Sequence, residues 1–382
     1  MIPMKTLNYR FTNLQLNYDL SVFAPLEKIL FLDIETTGFS PKYACVYLIG
    51  VCYYQNGCWN GIQWFAEKEN EESRIIKAFF QFARGFNTLI HFNGNQFDLP
   101  FLKGRISCLQ LPYSFDEFTG IDIYKRIFPY KHFLKLKSGR QKSLEEFLGL
   151  NREDKFSGGE LISLYRDYTD DPLDQLLEPI LLHNRDDLQG MLEIVPILSY
   201  WDLFNDSLSV HKVQANHYKD YHGKKKQELM IHLKLVQAVP VPLFTHASDV
   251  FFRCQDKEAI LRVPVYTEEL KYFYADYKNY YYLPHEDMAI HKSVASFVDK
   301  THRIQATAAT CYTRKLSSYL PQWDYVFEPF FKREYKSPLL FFELTEELKG
   351  NRAAFSLYVS HLLSRLAEGD SRSEKDTASD CK

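Results

Sequence analysis

The sequence predicts an α/β domain in its first half and a strand-containing α+β domain in its second half. Two apolar runs, residues 28–32 (KILFL) and 88–92 (TLIHF), are each followed by turn residues, as is typical of buried strands. Residues 173–200 carry apolar side chains at helical spacing. Residues 263–320 are rich in aromatic and β-branched residues, which favours several strands with turns near residues 276–279 and 284–287.

The composition is that of a folded protein without a general affinity for polyanions. The chain has 382 residues, 46% of them hydrophobic, which suffices for two or three domains with real cores. The net charge is only -3, so any affinity for nucleic acid must come from local basic faces.

Seven cysteines lie scattered without C-x-x-C spacing, which argues for a reducing compartment and against a structural zinc site. No signal-peptide pattern or 18-residue apolar run is present, so we expect a cytoplasmic protein without a membrane segment.

The first acidic segment, FLDIETTGF, follows the first apolar run. Asp33 and Glu35 lie two residues apart on the predicted strand, so their side chains should share one face while Ile34 enters the opposite layer. Two carboxylates at this spacing repel each other, and a cation between them removes that penalty. Taken alone, a D-x-E pair is more often two solvated acids at the end of a strand.

The second acidic segment, HFNGNQFDLPFL, joins the second predicted strand to a helix. Asn93 begins turn chemistry, and Asp98 lies where the helix opens with Pro100 in its first turn. Taken alone, Asp98 would more often cap that helix than bind a metal.

The third segment, LLHNRDDLQGM, lies on the helix predicted over residues 173–200, which we expect to break near Pro179 and Pro196. His183 and Asp187 are four residues apart and therefore share a helix face. An imidazole has a pKa of about 6.5, so beside a metal-bound carboxylate it can act as a general base. A histidine on a helix is otherwise more often a surface or capping residue, and Asp186 competes with Asp187 as the ligand.

The three segments together predict a metal-dependent nuclease, because four carboxylates can hold two divalent cations across a phosphodiester. In this order, the motifs D-I-E-T-T-G, N-G-x-x-F-D-L-P-F and H-N-x-x-D resemble those of the DnaQ-like (DEDD) 3'-5' exonucleases of the ribonuclease-H-like superfamily. Within that superfamily they resemble the bacterial YprB-type group of predicted exonucleases. The resemblance covers roughly residues 25–200 and implies a mixed sheet flanked by helices.

The resemblance also implies a role for each motif residue. The metal-binding acids would hold two Mg²⁺ or Mn²⁺ ions and are Asp33, Glu35, Asp98 and Asp187. His183 would accept the proton, although it combines the spacing of the family's tyrosine subclass with the identity of its histidine subclass. The positions expected to bind substrate are Thr36, Thr37, Asn93 and Phe97.

Two further positions in the first half have a functional and a structural interpretation. Asp122, in GIDIYK, matches an acidic position that the YprB-type group favours, but it could equally hold a neighbouring helix. Residues 142–168 predict two amphipathic helices separated by a break at Gly158 and Gly159. Arg152, between them, could meet a phosphate or form a local ion pair.

The second half contains two basic regions. Residues 211–234 hold six lysines against Asp220 and Glu228, a local balance of +4. A solvated helix face or loop is the favoured interpretation, and the alternative is contact with backbone phosphates, above all by Lys224, Lys225 and Lys226. Farther along, aromatic strands either form a core or present a stacking platform. The residues of that platform would be Tyr280, Tyr281 and Tyr282, with Lys292, Lys300, Arg303, Arg314 and Lys315 against phosphates.

We therefore expect four segments: an N-terminal extension (1–24), a ribonuclease-H-like exonuclease domain (25–204), a C-terminal α+β domain that binds nucleic acid (205–366) and a disordered tail (367–382). The C-terminal domain should close with an amphipathic helical segment over 341–366, interrupted near Gly350. The predicted function is metal-dependent hydrolysis of DNA or RNA by a two-metal, 3'-5' exonucleolytic mechanism. The alternatives are a catalytically weak nucleic-acid-binding or scaffold protein that keeps the fold, and a structure-specific endonuclease.

Overall fold

A six-stranded mixed sheet organises the first half of the chain. The computed structural model describes residues 4–12, 14, 16–150, 158–205 and 208–368. The strands of this sheet are β1 (Lys5–Phe11), β2 (Ile29–Thr36), β3 (Val46–Gln55), β4 (Cys58–Phe65), β5 (Thr88–His91) and β6 (Thr119–Asp122). Their order is β1-β4-β3-β2-β5-β6, in which β2, β5 and β6 are parallel and the other neighbours are antiparallel.

Helices cover both faces of this sheet, which confirms the predicted fold class. They are α1 (Glu72–Ala83), α2 (Asp98–Cys108), α3 (Ile123–Ile127), α4 (Gln141–Phe147), α5 (Gly158–Asp170), α6 (Asp174–Ile194) and α7 (Leu198–Asn205). Helices α1 and α2 contribute to one apolar cluster, and α5 and α6 contribute to another. In the second cluster the rings of Tyr47 and Tyr165 stack with centroids 4.1 Å apart.

Strand β2 explains why its two acids face the same layer. Leu30, Leu32 and Ile34 are buried in the cluster formed with α1 and α2. Because side chains alternate along a strand, Asp33 and Glu35 lie on the opposite face, where α6 packs. The predicted alternation is confirmed.

Strand β1 falls within the segment expected to be an N-terminal extension. It pairs with β4 as an edge strand, from Lys5 opposite Phe65 to Phe11 opposite Trp59. Its more buried side chains alternate with exposed ones along the strand. Gly61 permits the pairing, since a Cβ there would lie 2.2 Å from the ring of Tyr9. The alternating pattern K-T-L-N-Y-R-F was the sequence signal for this strand.

Helix α6 runs through Pro179, so the break expected there is wrong. An internal proline removes one backbone hydrogen bond, and its neighbours Leu177 and Ile180 are buried against the sheet. Packing of the amphipathic helix therefore outweighs the local cost. The break near Pro196 is confirmed, because a 3₁₀ turn over Val195–Ile197 separates α6 from α7.

The two glycines expected to separate helices are instead the first residues of α5. Helix α4 ends earlier, because Gly149 adopts a φ of +76°, a left-handed conformation that glycine takes without a steric penalty. Arg152 lies outside the described residues.

The chain divides into two compact units within α7. The first comprises Met1–Asp202 and Gln237–Val241, and the second comprises Leu203–Val236 and Pro242–Lys382. No helix in the described part of the chain combines the length and apolar character that a membrane crossing requires.

A second six-stranded sheet, with antiparallel pairing, forms the core of the C-terminal unit. Its strands are β7 (Ser209–Lys219), β8 (Lys225–Ala247), β9 (Val250–Phe273), β13 (Tyr312–Gln322), β14 (Phe330–Phe331) and β15 (Leu340–Glu343), in the order β14-β15-β13-β9-β8-β7. A smaller sheet contains β10 (Tyr280–Leu283), β11 (Met288–His291) and β12 (Ile304–Gln305). The unit's helices are α8 (Lys292–Ala295), α9 (Glu346–Lys349) and α10 (Arg352–Glu368).

Two expectations for this unit are wrong. Residues 211–234 form a strand pair rather than a helix face or loop, because their alternate residues, such as Leu229, Ile231 and Leu233, are buried on one face of the sheet. The closing segment over 341–366 is helical as α9 and α10, with the expected interruption at Gly350, but the expectation is wrong for its first residues. Its first residues belong to β15, which pairs with β13.

A buried ion pair links α1 to α2 and to the sheet. The carboxylate of Glu72, only 3% exposed, accepts hydrogen bonds from the Val46 N–H at 2.8 Å and from Arg105 Nε and Nη2 at 2.8 and 2.6 Å. Arg105 Nη1 also donates to the carbonyl of Pro41 at 2.7 Å. This two-point guanidinium contact fixes the connection between β2 and β3, residues 37–45, which we call the β2–β3 loop.

We predict that Glu72→Ala lowers the free energy of unfolding by about 3 kcal/mol, because it leaves the Arg105 guanidinium and the Val46 N–H without their acceptor. Urea denaturation monitored by circular dichroism measures the loss. The matched control is Lys137→Ala, which removes an exposed 2.9 Å ion pair with Glu146 and should cost less than about 1 kcal/mol. Equal losses in the two variants would show that the buried Glu72–Arg105 pair contributes no more to the free energy of unfolding than an exposed ion pair does.

Candidate metal centre

One face of α6 meets the acids of β2. His183 Nε2 lies 3.1 Å from Asp187 Oδ2 and 3.9 Å from Glu35 Oε1. One ligand atom each from Glu35, His183 and Asp187 lie within 4.8 Å of one another. The register of β2 against β3 shifts between Glu35 and Thr36, which bends the strand directly after the second acid.

Asp33 and Asp98 complete a group of four acids that act on one another. Asp98 is the first residue of α2 and is 7% exposed, while Phe97 occupies the N-cap position. Burial, followed by the charges of Asp187, Glu35 and Asp98, raises the pKa of Asp33 well above its usual range.

The other two shifted acids show the same pattern. Burial raises the pKa of Glu35 to about 8, with Asp187 and Asp98 adding to the shift and the His183 imidazole opposing it. Burial likewise raises the pKa of Asp98 to about 7, opposed by hydrogen bonds from the backbone amides of Asp98 and Ile34. Because Asp187 raises the pKa of all three other acids, the four predicted carboxylates lie close enough for their charges to interact.

This donor set fits hard divalent cations. Carboxylate oxygens are the ligands that Mg²⁺ and Mn²⁺ prefer, and the imidazole of His183 is also acceptable to Mn²⁺. Within the described part of the chain, no lysine or arginine lies within 4.0 Å of the carboxylates of Asp33, Glu35 or Asp98. Among the described residues, the negative charge of these three acids is therefore not balanced by lysine or arginine side chains in direct contact, as expected for acids that bind cations.

Sequence reasoning missed the residue that holds Asp33. Asn184 is completely buried, and its Nδ2 donates to Asp33 Oδ2 at 2.7 Å. Its own Oδ1 accepts from Gln63 Nε2 at 2.8 Å. Gly50 allows this approach, since a Cβ there would lie 2.0 Å from Asn184 Oδ1. The asparagine is part of the H-N-x-x-D motif, but only the fold shows that it contacts Asp33.

The contacts of Asp122 support its structural interpretation, in which it holds a neighbouring helix. Its carboxylate accepts hydrogen bonds from the Asn93 and Asn95 N–H groups at 3.0 and 3.1 Å, and from the Lys125 N–H at 3.2 Å. It thus caps α3 and fixes the turn that leads to Asp98. Asn93, a predicted substrate position, has a φ of +59° in this turn.

The remaining predicted substrate positions surround the β2–β3 loop. The Thr36 hydroxyl donates to the Gly38 carbonyl at 2.9 Å, and the Thr37 hydroxyl accepts from the Cys45 N–H at 3.0 Å, so both hydroxyls shape the loop itself. Phe97 packs edge-on against Phe39, with centroids 6.2 Å apart. Phe39 is 88% exposed, and Tyr43 in the same loop is 81% exposed. Sequence reasoning missed these two aromatic residues, whose only signal was their position just after the D-I-E-T-T-G motif.

Two sets of secondary candidates lie outside this cluster. Asp186 does not share the ligand group of Glu35, His183 and Asp187, whereas Asp187 does. Lys224, Lys225 and Lys226 belong to the second unit, where Lys224 ends the turn between β7 and β8 and the other two open β8.

The family model described as RNase_H superfamily matches residues 30–199, a range that contains all four acids and His183. The first unit accordingly has an RNase H-like fold. No curated protein is significantly similar to the chain.

Among solved structures, the chain resembles the family B DNA polymerase of the hyperthermophilic archaeon Pyrobaculum calidifontis, with 16% identity, a TM-score of 0.37 and coverage of 69% of this chain and 37% of that one. It also resembles E. coli exonuclease I in complex with a dT13 oligonucleotide, with 11% identity, a TM-score of 0.31 and coverage of 54% of each chain. The zinc-bound complex of exonuclease I with single-stranded DNA gives 11% identity, a TM-score of 0.28 and coverage of 55% of each chain. The matches thus span about half or less of the length of these structures, and similarity at this level carries no functional argument.

The raised pKa values predict that divalent cations stabilise the protein more at pH 8 than at pH 6. Glu35 and Asp98 have folded-state pKa values of about 8 and about 7, above those of the unfolded chain, so their contribution to stability falls as pH rises through this window. Cations bind the ionised acids and should reverse that loss, by about 2.7 kcal/mol at 100 times Kd. Thermal unfolding with and without Mn²⁺ measures the effect.

The control for this experiment is the double variant Glu35→Gln, Asp98→Asn, which keeps the side-chain volumes. It should lose both the cation effect and its dependence on pH. A cation-induced rise in Tm that is equal at the two pH values, or that persists in the double variant, would contradict the assignment.

Proposed function

We propose that this protein is a metal-dependent nuclease that hydrolyses the phosphodiester bonds of DNA or RNA, from the 3' end. The observation that carries the proposal is the convergence of four acids and a histidine from β2, α2 and α6 in a unit with an RNase H-like fold. The pattern H-N-x-x-D further supports a relationship with the YprB-type group of this superfamily.

The residues that would hold two Mg²⁺ or Mn²⁺ ions are Asp33, Glu35, Asp98 and Asp187. When bound, such ions supply positive charge beside the scissile phosphate and lower the pKa of water. The protein's contribution is to keep the four carboxylates in place before binding. Asn184 orients Asp33 by donating to its Oδ2 at 2.7 Å.

His183 is the proposed proton acceptor. Its Nε2 faces both Glu35 and Asp187, so a proton taken up at this atom would be stabilised by two carboxylates. The same geometry also suits a metal ligand, since His183 shares a ligand group with both acids. These two roles make different predictions for cation affinity.

The proposed substrate contacts are Thr36, Thr37, Asn93 and Phe97, to which we add Phe39. Because the two threonine hydroxyls bond within the β2–β3 loop, their contribution to substrate binding would come from the backbone they shape. Phe39 and Phe97 provide an aromatic surface on which a terminal base could stack.

We predict that Asp33→Asn lowers the rate of hydrolysis about 10²- to 10⁴-fold, since metal binding supplies several kcal/mol of transition-state stabilisation. The matched control, Asp186→Asn on α6, should stay close to wild type. The assay follows 3'- and 5'-labelled DNA and RNA, single-stranded and duplex, with Mg²⁺, Mn²⁺ or EDTA. Successive shortening from the 3' end supports exonuclease action, and a single internal cut identifies the endonuclease alternative. Undiminished cleavage by the Asp33 variant would place the activity elsewhere.

For His183, we predict that the change to Ala lowers the rate about 10²- to 10⁴-fold, leaves Mn²⁺ affinity nearly unchanged and removes the acid limb of the pH–rate profile. His132→Ala, at an exposed histidine of the same unit, serves as the control. If Mn²⁺ affinity falls in parallel with the rate, His183 is a ligand instead of the base. Lost thermal stability with an unchanged pH profile would assign it a structural role.

A further inference from the structure

The turn between β7 and β8, taken together with the strand residues that flank it as residues 219–226, has a defined and closed conformation. We call it the lysine turn. The Asp220 carboxylate accepts hydrogen bonds from the N–H groups of His222 and Lys224 at 3.0 and 2.9 Å. The Asp220 N–H donates to the Lys224 carbonyl at 3.0 Å, and Gly223 has a φ of +75°. The side chains of this turn are therefore presented from a fixed backbone.

Basic side chains are crowded on this turn. Lys219 and Lys225 are direct cross-strand partners, and Lys224 and Lys226 flank the second of them. All four are exposed. Like charges placed directly opposite each other in an antiparallel pair destabilise it, and an anion between them relieves the repulsion. The sheet register thus itself favours a bound anion at this position.

Several other basic residues of the C-terminal unit have acidic partners. Lys271 contacts Glu334 at 2.9 Å, Arg314 contacts Glu269 at 3.1 Å, and Lys315 contacts Glu343 at 2.6 Å. By contrast, no carboxylate among the described residues lies within 4.0 Å of the four lysines of the turn. Their positive charge is available to an external polyanion.

The tyrosines that the sequence offers as an alternative stacking platform also contact other residues of the same unit. Tyr280 stacks on Tyr274 with centroids 4.6 Å apart, and the Tyr282 hydroxyl donates to Asp287 at 2.6 Å. The guanidinium of Arg303 lies over the ring of Tyr281 at 5.0 Å. Tyr221, at the tip of the lysine turn, is in contrast 98% exposed.

We propose that the lysine turn binds single-stranded nucleic acid, with its lysines on successive phosphates and the ring of Tyr221 stacked on a base. Single strands are favoured over duplex because a fully exposed ring requires an unstacked base, which a duplex does not offer. The lysines alone would contact either form. This inference rests on the proposed nuclease function in one respect. It takes the bound single-stranded nucleic acid to be the substrate of the enzyme.

The test measures binding of fluorescent 20-nucleotide DNA and RNA by anisotropy, using the full chain in EDTA so that hydrolysis plays no part. In the variant Lys224→Glu, Lys225→Glu, Lys226→Glu we expect at least about 10-fold weaker binding and a salt slope reduced by about 2, since each phosphate contact contributes about 0.7 on single strands. Lys77→Glu, Lys278→Glu, Lys336→Glu is the matched control, because it changes the net charge equally at exposed positions spread over both units. It should retain binding within about twofold.

Tyr221 separates stacking from charge. Tyr221→Ala should weaken single-strand binding about 5- to 100-fold with the salt slope unchanged, and Tyr221→Phe should bind like wild type. Duplex of the same length should be insensitive to Tyr221→Ala. Circular dichroism and Tm of each variant identify any loss of folding.

Unchanged affinity and salt slope in the triple lysine variant would overturn the proposal, as would equal losses in the control variant. If wild type binds no oligonucleotide but binds phosphatidylserine vesicles, the turn is a lipid contact and the proposal fails. The outcome for the nuclease is separate. Binding that depends on the turn, without hydrolysis in any cation, would support this inference and refute the proposed function.

Discussion

The main constraint on the structure of the first unit is the cost of burying several carboxylates close together. Asp33, Glu35, Asp98 and Asp187 are brought together from a strand and two helices. Burial first, and then the charges of neighbouring acids, opposes the ionisation of Asp33, Glu35 and Asp98. Such a group of acids keeps its geometry only if residues outside the group hold the carboxylates in place. Two of them lie on a central strand whose apolar residues, Leu30, Leu32 and Ile34, are anchored in the core.

The supports around the acids are themselves polar and mostly buried. Asn184 holds Asp33 and is seated over Gly50, while Asp122 fixes the turn before Asp98. Glu72, with Arg105, holds the loop that follows Glu35. Each support connects elements that are distant in the sequence, so the geometry of the site depends on complete folding of the sheet and its helices.

Sequence patterns predicted what depends on local periodicity and failed where tertiary packing decides. The shared face of Asp33 and Glu35 follows from strand alternation, and the pairing of His183 with Asp187 follows from helical spacing. Pro179 was misjudged because burial of Leu177 and Ile180 outweighs the local cost of a helical proline. The roles of Gln63 and Gly50 could not be predicted, because both residues act through Asn184, which only the fold brings beside them.

The energetics of the site argue against a scaffold that merely keeps the fold. Burial raises the pKa values of Asp33, Glu35 and Asp98, so each ionised acid destabilises the folded state at neutral pH in the absence of a cation. Neutral or apolar replacements would remove this cost, as they often do for buried charges. Destabilising groups that the surrounding structure holds in place are characteristic of functional sites, and here the donor set of carboxylates and an imidazole fits a divalent cation.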